Sequence, residues 1–296
     1  MTLESALQGI TCPVVTPFDE DSKRVDEAAF GAIVEDLVAN DIDGVFSCGT
    51  AGEFASLTAD ERRRVHELAV EHADGSVPVL AGAGATTVSE TLEHIEAAAA
   101  VGADAAVVVP PYFHTANDPA GNRRFFETVA DASPLPLLLY NIPLCTGRRI
   151  HLETVESVAT HENVIGLKDS GGDLQYFLSV IRRTPDSFLV LQGFDTLVLP
   201  SIRMGGDGGV NTLSNVAPAQ YAELYETADR RRAREVQDAV ASLFESCAEY
   251  GFAPGTKTAL ASRGGIPSDT VRLPLVSVPE EGRATIATQV EAVLNA

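Results

Sequence analysis

The sequence predicts a (β/α)₈ TIM barrel with a helical C-terminal extension. Eight short apolar runs alternate with amphipathic segments across residues 1–216. The runs are continuously apolar, which is typical of a parallel sheet that is covered by helices. Eight such units favour a closed barrel over a doubly wound open sheet. Residues 217–296 contain helical segments without strands, so we expect them to form the extension.

The predicted elements follow one another in a regular order. Strands are predicted at 10–15, 44–48, 77–81, 105–109, 137–140, 164–168, 188–192 and 208–211. Helices are predicted at 26–40, from Thr58 onward, and at 88–101, 119–132, 152–160, 174–183 and 196–204. Thr58 with Glu61 matches a capping box. Further helices are predicted at 217–225, 229–250, 256–261 and 280–294, with Pro254 and the turn at 264–267 as breaks.

The composition excludes several kinds of partner. A formal net charge of −21 and a pI near 4.5 argue against binding to nucleic acid or to an anionic membrane surface. Scarce lysine, abundant acidic residues and the absence of tryptophan suggest a halophilic protein, with an acidic mesophile as the alternative.

Compartment and cysteine chemistry can also be predicted. Cys12, Cys48, Cys145 and Cys247 show no metal-ligand spacing, so we expect no metal site and reduced thiols. The N-terminus has no signal-peptide pattern, and no apolar run approaches the roughly twenty residues that span a bilayer. We therefore expect a cytoplasmic protein.

Lys168 is the most informative residue. The chain has 21 lysines and arginines together, of which only Lys23, Lys168 and Lys257 are lysines. Lys168 ends the apolar run 164–167, where burying an ammonium is costly unless it is paired or deprotonated. A deprotonated amine there could attack a carbonyl and form a Schiff base. The alternative is an ion pair between Lys168 and Asp169 that caps a loop.

Other reactive groups follow the ends of neighbouring predicted strands, where the active sites of such barrels lie. These candidates are Gly49, Thr50, Ala51, Tyr112, Tyr140, Lys168, Ser170 and Val210. A phenol can carry protons to and from a carbinolamine, and glycine-rich turns let backbone N–H groups approach a small anion. A phosphate site at these turns is the alternative, although it has no Walker spacing.

Three motifs resemble one enzyme family. Gly49-Thr50-Ala51-Gly52-Glu53, the segment 140–143 and the segment 166–170 have the order and spacing of the class I pyruvate-dependent aldolases. That family includes dihydrodipicolinate synthase, N-acetylneuraminate lyase and 2-keto-3-deoxygluconate aldolase. The resemblance implies that Lys168 forms the Schiff base with pyruvate, Tyr140 is the general acid/base and Thr50 hydrogen-bonds Tyr140.

The resemblance also implies the remaining features of the site. Val210 and the Thr50–Ala51 turn would hold the pyruvate carboxylate through backbone groups. No cofactor would be needed beyond the covalent Schiff base, and the assembly would be a homotetramer.

The sequence departs from the synthase pattern at three places. Ala51 stands where a second hydroxyl residue is usual, and Phe113 stands where a second tyrosine is usual. Leu144-Cys145-Thr146 lacks the arginine that usually holds the carboxylate of aspartate semialdehyde. Arg148 and Arg149 could substitute, but a solvated loop is their simpler interpretation.

These departures lead us to expect reversible cleavage of 2-keto-3-deoxygluconate, or its 6-phosphate, to pyruvate and an aldehyde. Thr146 and Ser170 would then hydrogen-bond the hydroxyls of the substrate. The alternative is 4-hydroxy-tetrahydrodipicolinate (dihydrodipicolinate) synthase. A dehydratase or hydratase-aldolase, and a binding protein that kept the barrel, are further possibilities.

Overall fold

Eight parallel strands close into a barrel in the computed structural model, which describes residues 2–296. Each strand pairs with the next in the sequence, and the last pairs with the first through the register of Gly9 with Gly208. The fold class predicted from the sequence is therefore confirmed. The strands are β1 Gly9–Pro13, β2 Gly44–Ser47, β3 Val79–Gly82, β4 Ala105–Val108, β5 Leu137–Asn141, β6 Val164–Asp169, β7 Leu189–Gln192 and β8 Gly208–Val210.

Helices surround the barrel and then continue beyond it. The first nine are α1 Leu3–Ala6, α2 Glu27–Ala39, α3 Ala59–Ala73, α4 Val88–Ala100, α5 Pro119–Ala132, α6 Pro143–Thr146, α7 Leu152–Val158, α8 Leu174–Arg183 and α9 Val198–Arg203. The last four are α10 Pro218–Glu226, α11 Arg230–Ala248, α12 Phe252–Ser262 and α13 Glu280–Leu294. The predicted capping box of α3 is confirmed: Thr58 accepts from the Glu61 backbone, and the Glu61 side chain accepts from the Thr58 N–H.

Strand β5 illustrates why continuously apolar runs suit this barrel. Successive side chains of a strand point to opposite faces. Leu138 and Tyr140 pack in the cluster inside the barrel, whereas Leu137 and Leu139 pack in the layer between strands and helices. Both faces are buried, so both must be apolar, and Tyr140 brings a polar end into the interior.

The C-terminal helices share a hydrophobic core with the first units of the barrel. Tyr221 of α10, Val240 of α11 and Val290 of α13 are buried in the same cluster as Ile10 and Val34. A helical extension packed on the barrel was predicted. The division of the chain at residues 216 and 217 stays a prediction.

The interpretation of Pro254 as a break was wrong. It lies in the first turn of α12, which begins at Phe252. The first N–H groups of a helix have no partner within the helix, so a proline there removes no hydrogen bond. Within residues 2–296, no helix is both long enough and apolar enough to cross a lipid bilayer.

Candidate active site

A cavity of about 270 Å³ opens where the strands give way to their following loops. Its wall brings together Thr50 from the loop after β2, Tyr140 from β5 and Lys168 from β6. Ala51 and Ser170, also predicted from the sequence, line the same cavity. Five of the predicted site residues therefore lie around one space, at the end of the barrel where such sites occur.

Lys168 is buried without a charged partner. It is 3% exposed, and its Nζ lies 4.3 Å from the centre of the Tyr140 ring and 5.2 Å from that of Phe46. Within residues 2–296 no carboxylate forms a salt bridge with it. Burial lowers the pKa of Lys168 to about 7, and the negative charge of Asp195 opposes this shift. A substantial fraction of the side chain is thus the neutral, nucleophilic amine near neutral pH.

The alternative of a loop-capping ion pair between Lys168 and Asp169 does not hold. The Asp169 Oδ1 atom accepts hydrogen bonds from Asn141 Nδ2 at 2.6 Å and from the Gly171 N–H at 3.0 Å. Asn141 in turn accepts from the Ile150 N–H through its Oδ1 atom at 2.9 Å. This network joins the ends of β5 and β6, so it fixes the strand ends that carry Tyr140 and Lys168.

Gly193 leaves space for the Lys168 side chain because it has no Cβ atom. A Cβ atom at Gly193, which follows β7, would lie 2.1 Å from Oγ of Ser170 and 2.8 Å from Cε of Lys168. Real Cβ atoms do not approach a neighbour this closely, so any larger residue would displace the Ser170 side chain, the Lys168 side chain or both. The backbone of the loop after β7 therefore forms the wall along which Lys168 extends.

The hydroxyl groups of Tyr140 and Thr50 lie within hydrogen-bonding distance of each other. The Tyr140 hydroxyl lies 3.4 Å from the Thr50 Oγ1 atom, the contact that the family resemblance implied. Burial raises the pKa of Tyr140 to about 12, while the Thr50 hydroxyl works in the opposite direction. Tyr140 therefore holds its proton at neutral pH and can donate it to a developing alkoxide.

Asp195 is a site residue that the sequence prediction missed. It lines the cavity at 1% exposure, and its Oδ1 atom accepts hydrogen bonds from the Tyr221 hydroxyl and the Leu213 N–H. Its Oδ2 atom has no partner among the described residues. Burial raises the pKa of Asp195, and the hydrogen bond from Tyr221 opposes that shift. Inspection of the end of β7, as of the other strands, would have found this carboxyl.

The other four predicted site residues do not line the main cavity. Tyr112 and Thr146 line a second cavity, and the Thr146 hydroxyl donates to backbone carbonyl groups of its own loop. Gly49 packs against the Phe46 ring. Val210 is buried in the barrel interior, and Thr212 is the residue beyond β8 that lines the main cavity. Roles for these four residues stay predictions.

Three phenylalanines form an apolar part of the cavity wall, and two of them come from the C-terminal helices. Phe194, Phe244 and Phe252 line it, with ring centres 5.0 Å apart for the first two and 6.0 Å apart for the last two. These contacts join the loop after β7 to α11 and α12. Their long sequence separation gives no local signal from which they could be predicted.

The two arginines of the loop after α6, which could have replaced the missing one, are engaged outside the cavity. Arg148 donates to the backbone carbonyls of Thr115 and Asn117, at 2.9 and 3.1 Å. Arg149 pairs with Asp173 at 3.0 Å. Of the described residues, Lys168 is the single cationic side chain in the cavity wall.

Known proteins resemble this chain over nearly its whole length. The sequence pattern of the dihydrodipicolinate synthetase family matches residues 6–293. A 4-hydroxy-tetrahydrodipicolinate synthase of Syntrophus aciditrophicus is 35% identical over 93% of this chain and 94% of its own length. One of Natronomonas pharaonis is 40% identical over 80% of this chain and 81% of its own length.

The three-dimensional structure of this chain is also similar to a solved structure. A prophage protein of the dihydrodipicolinic acid synthase family from E. coli K12, in complex with pyruvate, superposes with a TM-score of 0.91. It is 31% identical, over 97% of this chain and 98% of that one.

Proposed function

This chain belongs to the dihydrodipicolinate synthetase family, and from that membership we propose that Lys168 forms a Schiff base with pyruvate. Members of the family are class I pyruvate-dependent carbon–carbon lyases, which use a covalent lysine Schiff base and no external cofactor. The observation that carries the assignment to Lys168 is its burial, without a charged partner, beside Tyr140 in the main cavity.

The arrangement suits each step of enamine chemistry. The Lys168 amine adds to the keto carbon of pyruvate, and Tyr140 protonates the oxygen so that the carbinolamine can lose it as water. The Tyr140 phenolate left by that step then accepts a proton from the pyruvate methyl group, which gives an enamine and restores the phenol. Its carbon attacks an aldehyde, and Tyr140 protonates the new alkoxide. Where the product has no amino group to displace the lysine, water releases it from Lys168, and these steps can run in reverse for cleavage.

The first candidate reaction is 4-hydroxy-tetrahydrodipicolinate synthesis, with aspartate semialdehyde as the aldehyde. The names of the relatives that cover most of this chain support it. They support the alternative from the sequence analysis better than the sugar-acid cleavage that we placed first there. In this reaction the enamine carbon attacks the semialdehyde carbonyl, and the amino group of the semialdehyde then displaces Lys168 during ring closure.

Cleavage of a 2-keto-3-deoxy sugar acid is the second candidate, and the charge of the cavity favours it. Lys168 is the one cation in the described cavity wall, and Asp195 adds a carboxyl group. A second substrate carboxylate would therefore lack a charge-assisted partner, which is worth about 1.5–3 kcal/mol. Hydroxyl groups of a sugar-derived aldehyde need no such partner.

One preparation can separate the two reactions. Pyruvate consumption with aspartate semialdehyde and pyruvate release from 2-keto-3-deoxygluconate are measured as kcat/KM under the same conditions. The first candidate predicts that condensation is the faster by at least about tenfold, a difference of about 1.4 kcal/mol. Faster cleavage would make the second candidate correct. A wild-type protein that reacts with neither substrate and yields no pyruvate adduct on borohydride reduction would contradict the proposed function.

A further inference from the structure

Lys257 is a second buried lysine, and it lies outside the main cavity. It belongs to α12, is 0% exposed, and its Nζ lies 4.0 Å from the centre of the Phe18 ring. The ammonium donates hydrogen bonds to Glu53 Oε1 and, at 2.9 Å, to the Thr270 carbonyl. Both side chains of the Lys257–Glu53 ion pair are fully buried. A buried pair of this kind is costly to form, so its position needs a physical explanation.

Glu53 ends the turn that carries Thr50. The Glu53 N–H donates to the Thr50 carbonyl at 3.1 Å, so the two residues are directly joined. The other carboxylate oxygen of Glu53 accepts from the Arg272 N–H at 3.0 Å. Lys257 and the backbone of Arg272, both in the C-terminal extension, therefore hold the Glu53 carboxylate from two sides.

The backbone of this turn is held in an uncommon conformation. Cys48 and Glu53, which flank it, have φ angles of 54° and 53°. Non-glycine residues adopt this left-handed region only when surrounding contacts hold them there. The bonds that Glu53 makes through its side chain supply such contacts, together with the hydrogen bond from the Thr16 hydroxyl to the Gly52 carbonyl at 2.8 Å. Loss of the Glu53 bonds therefore weakens the support of the backbone from 50 to 53.

We propose that the buried Lys257–Glu53 pair positions the Thr50 hydroxyl against Tyr140, so that helix α12 sets the rate of proton transfer in the cavity. This inference rests on the proposed function, because it requires Tyr140 to transfer protons. Lys257 and Glu53 are positioning residues here: the described main cavity is lined by Thr50 and Tyr140, and neither member of the pair forms part of its wall.

Deuterium exchange into the pyruvate methyl group tests the proposal without any choice of aldehyde. Exchange in D₂O requires the Schiff base and then transfer of a methyl proton, and proton NMR follows it. We expect Glu53→Gln and Lys257→Met each to lower the exchange rate at saturating pyruvate by about 10- to 100-fold, the scale expected for a small misplacement. The pyruvate KM should rise as well, because the Thr50–Ala51 turn is predicted to hold the pyruvate carboxylate through its backbone, and the exchange rates are therefore compared at saturating pyruvate.

A double-mutant cycle distinguishes positioning from general stability. In a Thr50→Val background the hydroxyl is already absent, so the same two substitutions should lower exchange by less than about threefold. The matched control is Arg232→Met, which removes the Arg232–Glu223 ion pair within the same extension. We expect its exchange rate to stay within about twofold of wild type. All rates are taken well below each variant's melting temperature.

Each outcome decides the proposal. The proposal would be overturned if the two substitutions lowered the exchange rate equally in the wild-type and Thr50→Val backgrounds. Exchange rates near wild type in both single variants would also overturn it. If Lys257→Met fails to fold, the cycle of Glu53→Gln with Thr50→Val decides alone. A wild-type protein that exchanges no deuterium would overturn the proposed function as well, which distinguishes the two failures.

Discussion

Lys168 and Lys257 are both buried, but only Lys257 has a carboxylate partner. Lys168 is 3% exposed and faces the rings of Tyr140 and Phe46. Lys257 is 0% exposed and donates to Glu53 and the Thr270 carbonyl. Burial lowers the pKa of both amines, whereas the Glu53 carboxylate favours the charged form of Lys257. The Glu53 carboxylate therefore favours the ammonium form of Lys257, whereas Lys168 has no such contact among the described residues.

The largest effect is expected from removing the hydroxyl of Tyr140, the tyrosine beside Lys168. Tyr140→Phe should lower turnover by about 10²- to 10⁴-fold, the usual contribution of general acid–base catalysis. Steady-state kinetics with either candidate substrate measures it. Tyr176→Phe is the matched control, because the Tyr176 hydroxyl is also buried but donates to the Ile150 carbonyl outside the cavity. Equal losses in the two variants would mean that Tyr140 has only a structural role.

The free energy of unfolding should depend more on Lys257 than on Lys168, whereas catalysis should depend more on Lys168. Lys257→Met leaves Glu53 buried without its partner, so the free energy of unfolding should fall by about 3–5 kcal/mol. Lys168→Met removes an amine that has no charged partner, so unfolding should change by less than about 1 kcal/mol or become harder. Urea denaturation at pH 7 measures both changes. Similar losses would show that the Glu53 carboxylate does not distinguish the two sites.

The pH dependence of Schiff-base formation should follow Lys168. Its ammonium form cannot attack a carbonyl, and its pKa is lowered to about 7. The initial rate of adduct formation should therefore rise with pH, by about tenfold per unit below 7, and level off above that value. Rapid borohydride quenching across pH 5–10 measures it. A rate that still rises tenfold per unit at pH 9 would indicate an amine of ordinary pKa.

Local sequence signals predicted the strands, most helices and the central residues of the site. Lys168 was accessible to prediction because a charged residue at the end of an apolar strand is unusual in a chain with few lysines. Tyr140 and Thr50 were accessible because the carboxyl ends of barrel strands meet at one face. The halophilic character and the tetrameric state stay predictions.

Contacts between residues far apart in the chain could not be predicted from the sequence. Glu53 and Lys257 are 204 residues apart, and no property of either segment shows that they meet. The Asp195 carboxyl contacts Tyr221, 26 residues later, for which the sequence also gives no signal. Pro254 was misjudged because its effect depends on its position within the helix, and that position is set by packing of α12 on the barrel.

The central claim is that Lys168, and not Lys257, is the nucleophile. The direct measurement is reduction of the protein–pyruvate mixture with borohydride, followed by mass spectrometry of the intact chain and of its peptides. We predict one adduct per chain, on Lys168, and none in Lys168→Arg, because a guanidinium stays protonated and cannot attack a carbonyl. An adduct on Lys257 or Lys23, or an adduct that persists in Lys168→Arg, would contradict this account.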